Sequence, residues 1–318
     1  MNRRRGQLAC AAAVLAFCGL AQARDPFVFA SFNQGALARH AALPAPQAAT
    51  ARAGSRIVFD WTNESLLEQG GTEALRLDGE ALRVGVEQRW QWGGTLLALE
   101  LPLLITGGGV LDSMIENWHD WFGLPNGGRD QLPRDDYRYQ YVRDGAVVFD
   151  IDEHGPALGD VRVSAARCAP AGGCLRALAQ LPTADADELL GGGLGASLWY
   201  ERGYALGAAQ RWTGAFAAGV SALAGDGPLE PLQESFVPFG WLSLGYALTD
   251  TLDAGVQFYG HAPLYDDSAL DALTKSGGQL VFGFRYFGVA GTQWRLALQE
   301  DLVTQSSPDF VIHVSADW

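Results

Sequence analysis

The chain has 318 residues, 36 acidic and 22 basic, for a net charge of −14. That balance argues against a nucleic-acid partner, whose phosphates call for basic patches. It argues equally against a basic protein lying on a membrane surface. The chain is rich in Gly, Trp, Tyr and Phe, and after residue 23 it has no apolar run long enough for a membrane-spanning helix.

Arg3, Arg4 and Arg5 precede a short apolar stretch, Leu8 to Leu20, and an Ala21-Gln22-Ala23 cleavage pattern. Residues 1–23 are therefore expected to be a cleaved signal peptide, and the mature chain to begin at Arg24. Cys18 follows Phe17, where a lipoprotein signal needs a small residue. Two cysteines remain after cleavage, Cys168 and Cys174, flanking a Pro- and Gly-containing turn. In an exported hairpin they are expected to form a disulfide.

Residues 24–54 are rich in Ala and Pro without a clear period, and read as an N-terminal arm. From residue 55 the pattern is period two, the signature of strands. Ile57, Phe59 and Trp61 alternate with Arg56, Asp60 and Thr62. Leu82, Val84, Val86 and Trp90 alternate with Arg83, Glu87 and Arg89. Upstream, Leu75 and Leu77 have the opposite parity, so Asp78-Gly79 could be a hairpin turn or a bulge. Further strands are expected at 97–103, 137–141, 157–168, 173–181, 193–202, 206–223, 234–248, 250–261, 276–287, 292–303 and 309–318. In the last of these, Phe310, Ile312, Val314, Ala316 and Trp318 share one face, and His313, Ser315 and Asp317 share the other. This ending resembles the closing strand of bacterial outer-membrane barrels.

One apolar and one charged face recur in strand after strand. About a dozen strands would enclose a lumen too wide for side chains to fill, so the apolar face is expected to meet lipid and the charged face a wet interior. The expected fold is all-β: a transmembrane antiparallel up-and-down barrel over 55–318, with 12 strands, or 14 if Asp78-Gly79 is a turn. A soluble β-sandwich is the alternative. The strand list is odd in number, and counting from its two ends places the turn at 91–94 on opposite sides of the membrane. One strand is therefore split or merged wrongly.

The segment 106–135 breaks the pattern. Leu111, Ile115, Trp118 and Phe122 form a helical stripe, with Asp112, Glu116, His119 and Asp120 on the polar side. The helix is expected to lie at the membrane interface or to fold into the lumen as a plug. A divalent-cation site on its carboxylates and imidazole is the sharper alternative, and a solvated polar face the plainer one. The pattern LDxxIExWHxxFGLPxGGR over 111–129, with Leu75-Arg76-Leu77-Asp78-Gly79-Glu80 and Glu100-Leu101-Pro102 upstream, resembles the DUF3187 family. The resemblance implies an exported bacterial protein of the outer-membrane barrel type. It brings no catalytic residues.

The lumen-lining set expected from strand parity is Arg83, Glu87, Arg89, Arg138, Asp253, Gln257, Arg285 and Arg295. The function expected from a charged lumen is passive passage of small solutes across the outer membrane of a Gram-negative bacterium. A closed structural or ligand-binding barrel is the second reading. An outer-membrane lipase is the third; it needs a Ser–His pair, and His261 with Ser268 is the candidate, although no G-x-S-x-G motif occurs. The reading favours a non-enzyme with no metal and no cofactor. Expected partners are membrane lipid, lipopolysaccharide, and the barrel assembly machinery acting on the strand that ends at Trp318. The protein is expected to be a monomer.

Overall fold

A computed structural model describes residues 25–48, 52–123, 129–169, 172–207, 210–303 and 306–318. The expected signal peptide lies outside the described residues. The strands are β1 (Gly54–Gly70), β2 (Glu73–Trp92), β3 (Thr95–Gly107), β4 (Arg138–Arg143), β5 (Ala146–Ile151), β6 (Pro156–Leu158), β7 (Val161–Cys168), β8 (Gly173–Leu181), β9 (Leu194–Leu206), β10 (Trp212–Ala224), β11 (Phe236–Ala247), β12 (Leu252–His261), β13 (Gly277–Phe287), β14 (Gln293–Val303) and β15 (Phe310–Asp317). The helices are α1 (Asp112–Phe122) and the single turn α2 (Asp271–Thr274). Among the described residues, no helix is long and apolar enough to cross a membrane.

Twelve strands, β1 to β3 and β7 to β15, form a closed antiparallel barrel. Closure is made by β1 against β15, with Asp60 opposite His313 and Ile57 opposite Ala316. The remaining three strands are additions. The β4–β5 hairpin pairs with the first residues of β2, beyond the end of β3, and β6 pairs with the far end of β3. This resolves the odd count. The Tyr137–Tyr141 stretch alternates like a wall strand, but it continues the wall above β3 instead of crossing a bilayer.

Asp78-Gly79 is not a turn. β2 pairs with β1 without a register shift from Glu73 to Arg89. Odd-numbered residues of β2 face inward throughout. The parity switch records a change of surroundings, because the inner face meets an apolar cluster at Leu75 and Leu77 and a charged one from Arg83 onward. Gly79 is required because a Cβ there would lie 2.5 Å from the Tyr137 ring.

The two ends of the barrel differ. One carries short connections (93–94, 248–251, 288–292), both the first residue of β1 and the last of β15, and a ring of outward aromatic residues. Trp90, Trp92, Trp212, Tyr286, Trp294 and Trp318 are all exposed there. The other carries the long connections, including 182–193, 225–235 and 262–276. Between the ends the outer surface is Leu, Val and Phe, as in Phe59, Val163, Leu198, Phe216, Leu242, Val256, Phe258 and Phe284. An apolar band edged by aromatic residues is what a lipid-facing barrel presents. Cys168 and Cys174 are joined by a disulfide across the β7–β8 turn.

Candidate functional site

The lumen is not an open aqueous bore, because residues 25–48 fill it. Every residue from Pro26 to Pro44 is buried. The arm enters at the short-turn end, rises to the long-loop end, turns through a short 3-10 helix at Ala36–Ala38, and descends to the mouth it entered by. It forms no strand. Wall side chains hold its backbone instead. On the rising leg, Arg285 donates to the carbonyls of Asp25 (3.0 Å) and Pro26 (2.9 Å), Arg295 to that of Val28 (3.1 Å), and Ser243 to that of Phe27. Gln257 makes a two-way bond with the Phe29 amide and carbonyl, at 2.9 and 3.0 Å. Ser31 donates to Gln299 at 2.6 Å. On the descending leg, Ser197 donates to the Ala42 carbonyl (2.6 Å), Arg162 to that of Leu43 (3.0 Å) and Arg176 to that of Ala48 (3.3 Å).

The wall is shaped for this arm. Gly245 and Gly255 are neighbours on β11 and β12, and a Cβ on either would stand 2.3 Å from the Phe27 ring. A Cβ on Gly203 would stand 2.0 Å from Pro26. Glycine inside a strand marks a close backbone or ligand approach, and here the occupant is the arm. Phe27 and Phe29 pack edge to face, against Val281 and Ala297. The Arg285 guanidinium lies over Phe27, 5.1 Å from its centroid.

At the turn of the arm, Phe32, Leu37, Ala41 and Leu43 join an apolar cluster with Leu75, Leu77, Tyr139, Tyr141, Trp199, Phe239, Trp241 and Tyr259 from the wall and Leu189, Leu229, Leu264 and Leu270 from the long loops. Glu64 on β1 anchors the turn. It accepts from the Ala36 amide (2.9 Å) and the Tyr139 hydroxyl (2.8 Å), and faces Arg39 at 3.5 Å. Tyr265, in the loop before β13, donates to the Leu37 carbonyl at 2.7 Å. Burial holds its phenol well above the usual range, so it remains a donor.

Seven of the residues expected to line the lumen, Arg83, Glu87, Arg89, Asp253, Gln257, Arg285 and Arg295, point inward and are buried. They meet the arm and one another. Arg285 pairs with Asp253 at 2.7 Å, and Arg83 with Glu100 and, at 3.5 Å, Asp60. Parity alone did not single out Arg176, which pairs with Glu201 at 2.7 Å. Arg138 is the exception: it lies on the β4–β5 hairpin, half-buried, paired with Asp150 at 2.8 Å. Its strand alternates like the others but is not part of the barrel.

Helix α1 does not enter the lumen. Leu111 and Ile115 pack on the outer wall against Phe310, Trp61, Leu298 and Ile312. Beneath the helix the motif residues converge. Glu80 accepts from the amides of Val110 (3.0 Å) and Leu111 (2.5 Å) and from the Trp61 indole (2.7 Å). Asp112 accepts from Arg129 at 2.6 Å and from the Asp135 amide at 2.8 Å, and Arg129 reaches Asn63 (2.6 Å) and Asp309 (2.8 Å). Gly109 is needed because its φ is +77° and a Cβ would overlap Glu80. Glu116 pairs with Arg134, and Asp120 is exposed. Asp112 and Glu116 are thus engaged by arginines, and among the described residues no group of three or more His, Cys, Asp or Glu is placed to hold a metal ion.

His261 and Ser268 do not form a pair. His261 contacts Asn33 (2.9 Å) and the Ala262 carbonyl (2.7 Å), while Ser268 donates to Glu73. A different histidine stands in a relay. His313 Nδ1 is 2.6 Å from Asp60 and its Nε2 is 3.1 Å from Ser315. His313 and Ser315 share a face by parity, but Asp60 joins them only through the β1–β15 register. All three are fully buried beneath the arm, where they tie the two closing strands together.

The model of the family described as "Protein of unknown function (DUF3187)" matches residues 7–318. The chain belongs to this family. No curated protein sequence matches it. Among solved structures, the COG4313 outer membrane channel from Pseudomonas putida F1 superposes with a TM-score of 0.52 at 12% identity, covering 84% of this chain and 96% of that one. The β domain of the Bordetella autotransporter BrkA gives a TM-score of 0.43 at 13% identity, covering 84% and 99%. The Pseudomonas putida toluene transporter TodX gives 0.39 at 11% identity, covering 92% and 95%. The first likeness is one of fold: this family member is an outer-membrane-type barrel.

Proposed function

We propose that the protein is an outer-membrane channel held shut by its own N-terminal arm, with the short-turn end in the periplasm. The carrying observation is the mode of attachment. Residues 26–44 are buried in the lumen, yet the arm is not a thirteenth strand. Its backbone is held by wall side chains and its apolar side chains by packing, with no strand pairing, inside a wall that is complete without it. Bulky inward side chains could have closed the barrel by themselves, whereas this wall carries glycines that make room for the arm. The superposed outer membrane channel supports the reading at the level of fold.

Planar-bilayer conductance tests it. The mature chain is expected to be closed with brief openings, and the variant lacking residues 25–48 to give steady ohmic steps. A silent deletion variant, shown by heat-modifiable gel migration to be folded, refutes the channel. Should the deletion variant not fold, the pair Ser31→Cys and Gln299→Cys supplies the test. Oxidation ties the arm to β14 and is expected to abolish the brief openings, and reduction to restore them.

A second reading rests on the Asp60–His313–Ser315 order, which is that of a nucleophilic relay. A hydrolase covered by its arm predicts fluorophosphonate labelling of Ser315 once residues 25–48 are removed, and none in Ser315→Ala. The channel predicts no labelling in either.

A further inference from the structure

The two roots of the arm leave by one mouth, and a cavity of about 190 Å³ opens between them. Arg52 lies on the rim, in the segment leading to β1. Arg56 of β1, Arg89 of β2 and Arg295 of β14 form its walls, with Asp317 between them and Asp25 at the first root of the arm. Three buried guanidiniums converge on the one carboxylate of Asp317: Arg56 at 2.9 Å, Arg89 at 2.7 Å, and Arg295. Glu87 stands farther off, 3.9 Å from Arg56 and 3.5 Å from Arg89. Asp25 accepts from Gln293 at 3.1 Å. Four guanidiniums thus gather at one mouth, in a chain whose overall charge is −14. The Arg89 side chain is more than nine-tenths buried, and its Nε faces Glu87 Oε1 at 3.5 Å, an ion pair in which neither atom completes a hydrogen bond. A buried donor left unbonded is costly, and guanidiniums present paired donors suited to carboxylate and phosphate oxygens.

We propose that this cavity binds a small multivalent oxyanion of the phosphate or polycarboxylate class. The anion would take the donors that Asp317 leaves unshared. It would also act on the arm, because Arg295 bonds both Asp317 and the Val28 carbonyl, and the cavity touches both arm roots. A ligand that draws Arg295 toward itself loosens the rising leg, and linkage requires that a loosened arm bind the anion more tightly. This coupling rests on the closed-channel reading; the binding does not.

Isothermal titration of the full mature chain in neutral detergent, with pyrophosphate and then citrate, tests the binding. Saturable one-site binding is expected, weakened by added NaCl and weakened at least tenfold by Arg52→Ala and by Arg89→Gln. Arg52 is exposed, so its variant keeps the fold. No saturable heat, or binding equally tight in both variants, overturns the proposal. The titration is repeated in nanodiscs of phosphatidylglycerol and of phosphatidylcholine. Pyrophosphate binding lost only in the anionic discs assigns the site to a lipid headgroup. Binding retained in both assigns it to a soluble anion. With binding established, pyrophosphate is expected to raise opening frequency in the bilayer. Binding without that change refutes the coupling and leaves the site.

Discussion

The two halves of the filled lumen are held by different physics. At the long-loop end, Phe32, Leu37 and Leu43 sit in a continuous apolar cluster with wall aromatics and loop leucines. At the short-turn end, the arm roots rest on Arg285, Arg295 and Arg176, each paired to a wall carboxylate. Apolar burial is roughly additive and indifferent to direction. A buried ion pair contributes little net stability but is costly to break from one side. The apolar half therefore supplies most of the arm's retention and the ionic half its register. Release is expected to begin at the roots, where the cavity already lies open.

The largest effect should come from splitting one buried pair. Arg285→Ala takes the guanidinium from buried Asp253 and removes the donors to Asp25 and Pro26, and splitting a buried pair costs about 3–5 kcal/mol. The expected result is a lower urea midpoint and faster hydrogen exchange over residues 27–31. The double variant Arg285→Met with Asp253→Leu should recover most of the midpoint but not the slow exchange. If it recovers both, the pair does not set the register. Next in size is the apolar half. Leu37→Ala should cost about 2–5 kcal/mol of local stability, read as faster exchange at residues 36–43 with the rising leg unchanged. Equal changes in both legs would show the arm to be one cooperative unit.

Gly255→Val should act on the rising leg alone. The added carbons meet Phe27, and overpacking of this sort costs about 1–3 kcal/mol. Proteolysis near Phe27 is expected to quicken while the barrel's heat-modifiable migration is unchanged. The smallest effect on the barrel should come from Asp112→Ala, which takes one carboxylate from Arg129 on the outer wall and leaves Asp309 and Asn63 in place. Cleavage within 108–135 should increase with no shift in the urea midpoint. A shifted midpoint would mean that the external helix helps to hold the closing strands.

The barrel was legible because lipid and lumen impose opposite chemistries on alternate residues, and the period of two survives in nearly every wall strand. Arg138 was misplaced because a strand that prolongs the wall above the bilayer has the same alternation as one that crosses it. Asp78-Gly79 left a turn or a bulge open because the inner surroundings of β2 change from apolar to ionic within a few residues while the backbone continues. The placement of the arm was hidden for a different reason. Its contacts are made largely by carbonyl oxygens, which every residue has, and its Ala- and Pro-rich stretch shows no period. A signal was present on the other partner: glycines on inward strand positions, Gly203, Gly245 and Gly255, where the arm comes close. The polar cluster under α1 was half legible. Glu80, Asp112 and Arg129 stand in the family pattern, but only the fold shows that they meet on the outside of the wall.

Because both roots of the arm emerge at one mouth, it is a loop pushed in from one side and not a strand threaded through. Nothing at the far end has to pass the lumen for it to leave. A pull on Asp25 from the short-turn side would load the Arg285 bonds first, then those at Phe27 and Val28, then Phe29, then Ser31, in sequence. Contacts loaded in series yield at much lower force than the same contacts sheared together. The rising leg is thus built to peel like a zip, while the descending leg, continuous with β1, stays tethered and can guide the loop back.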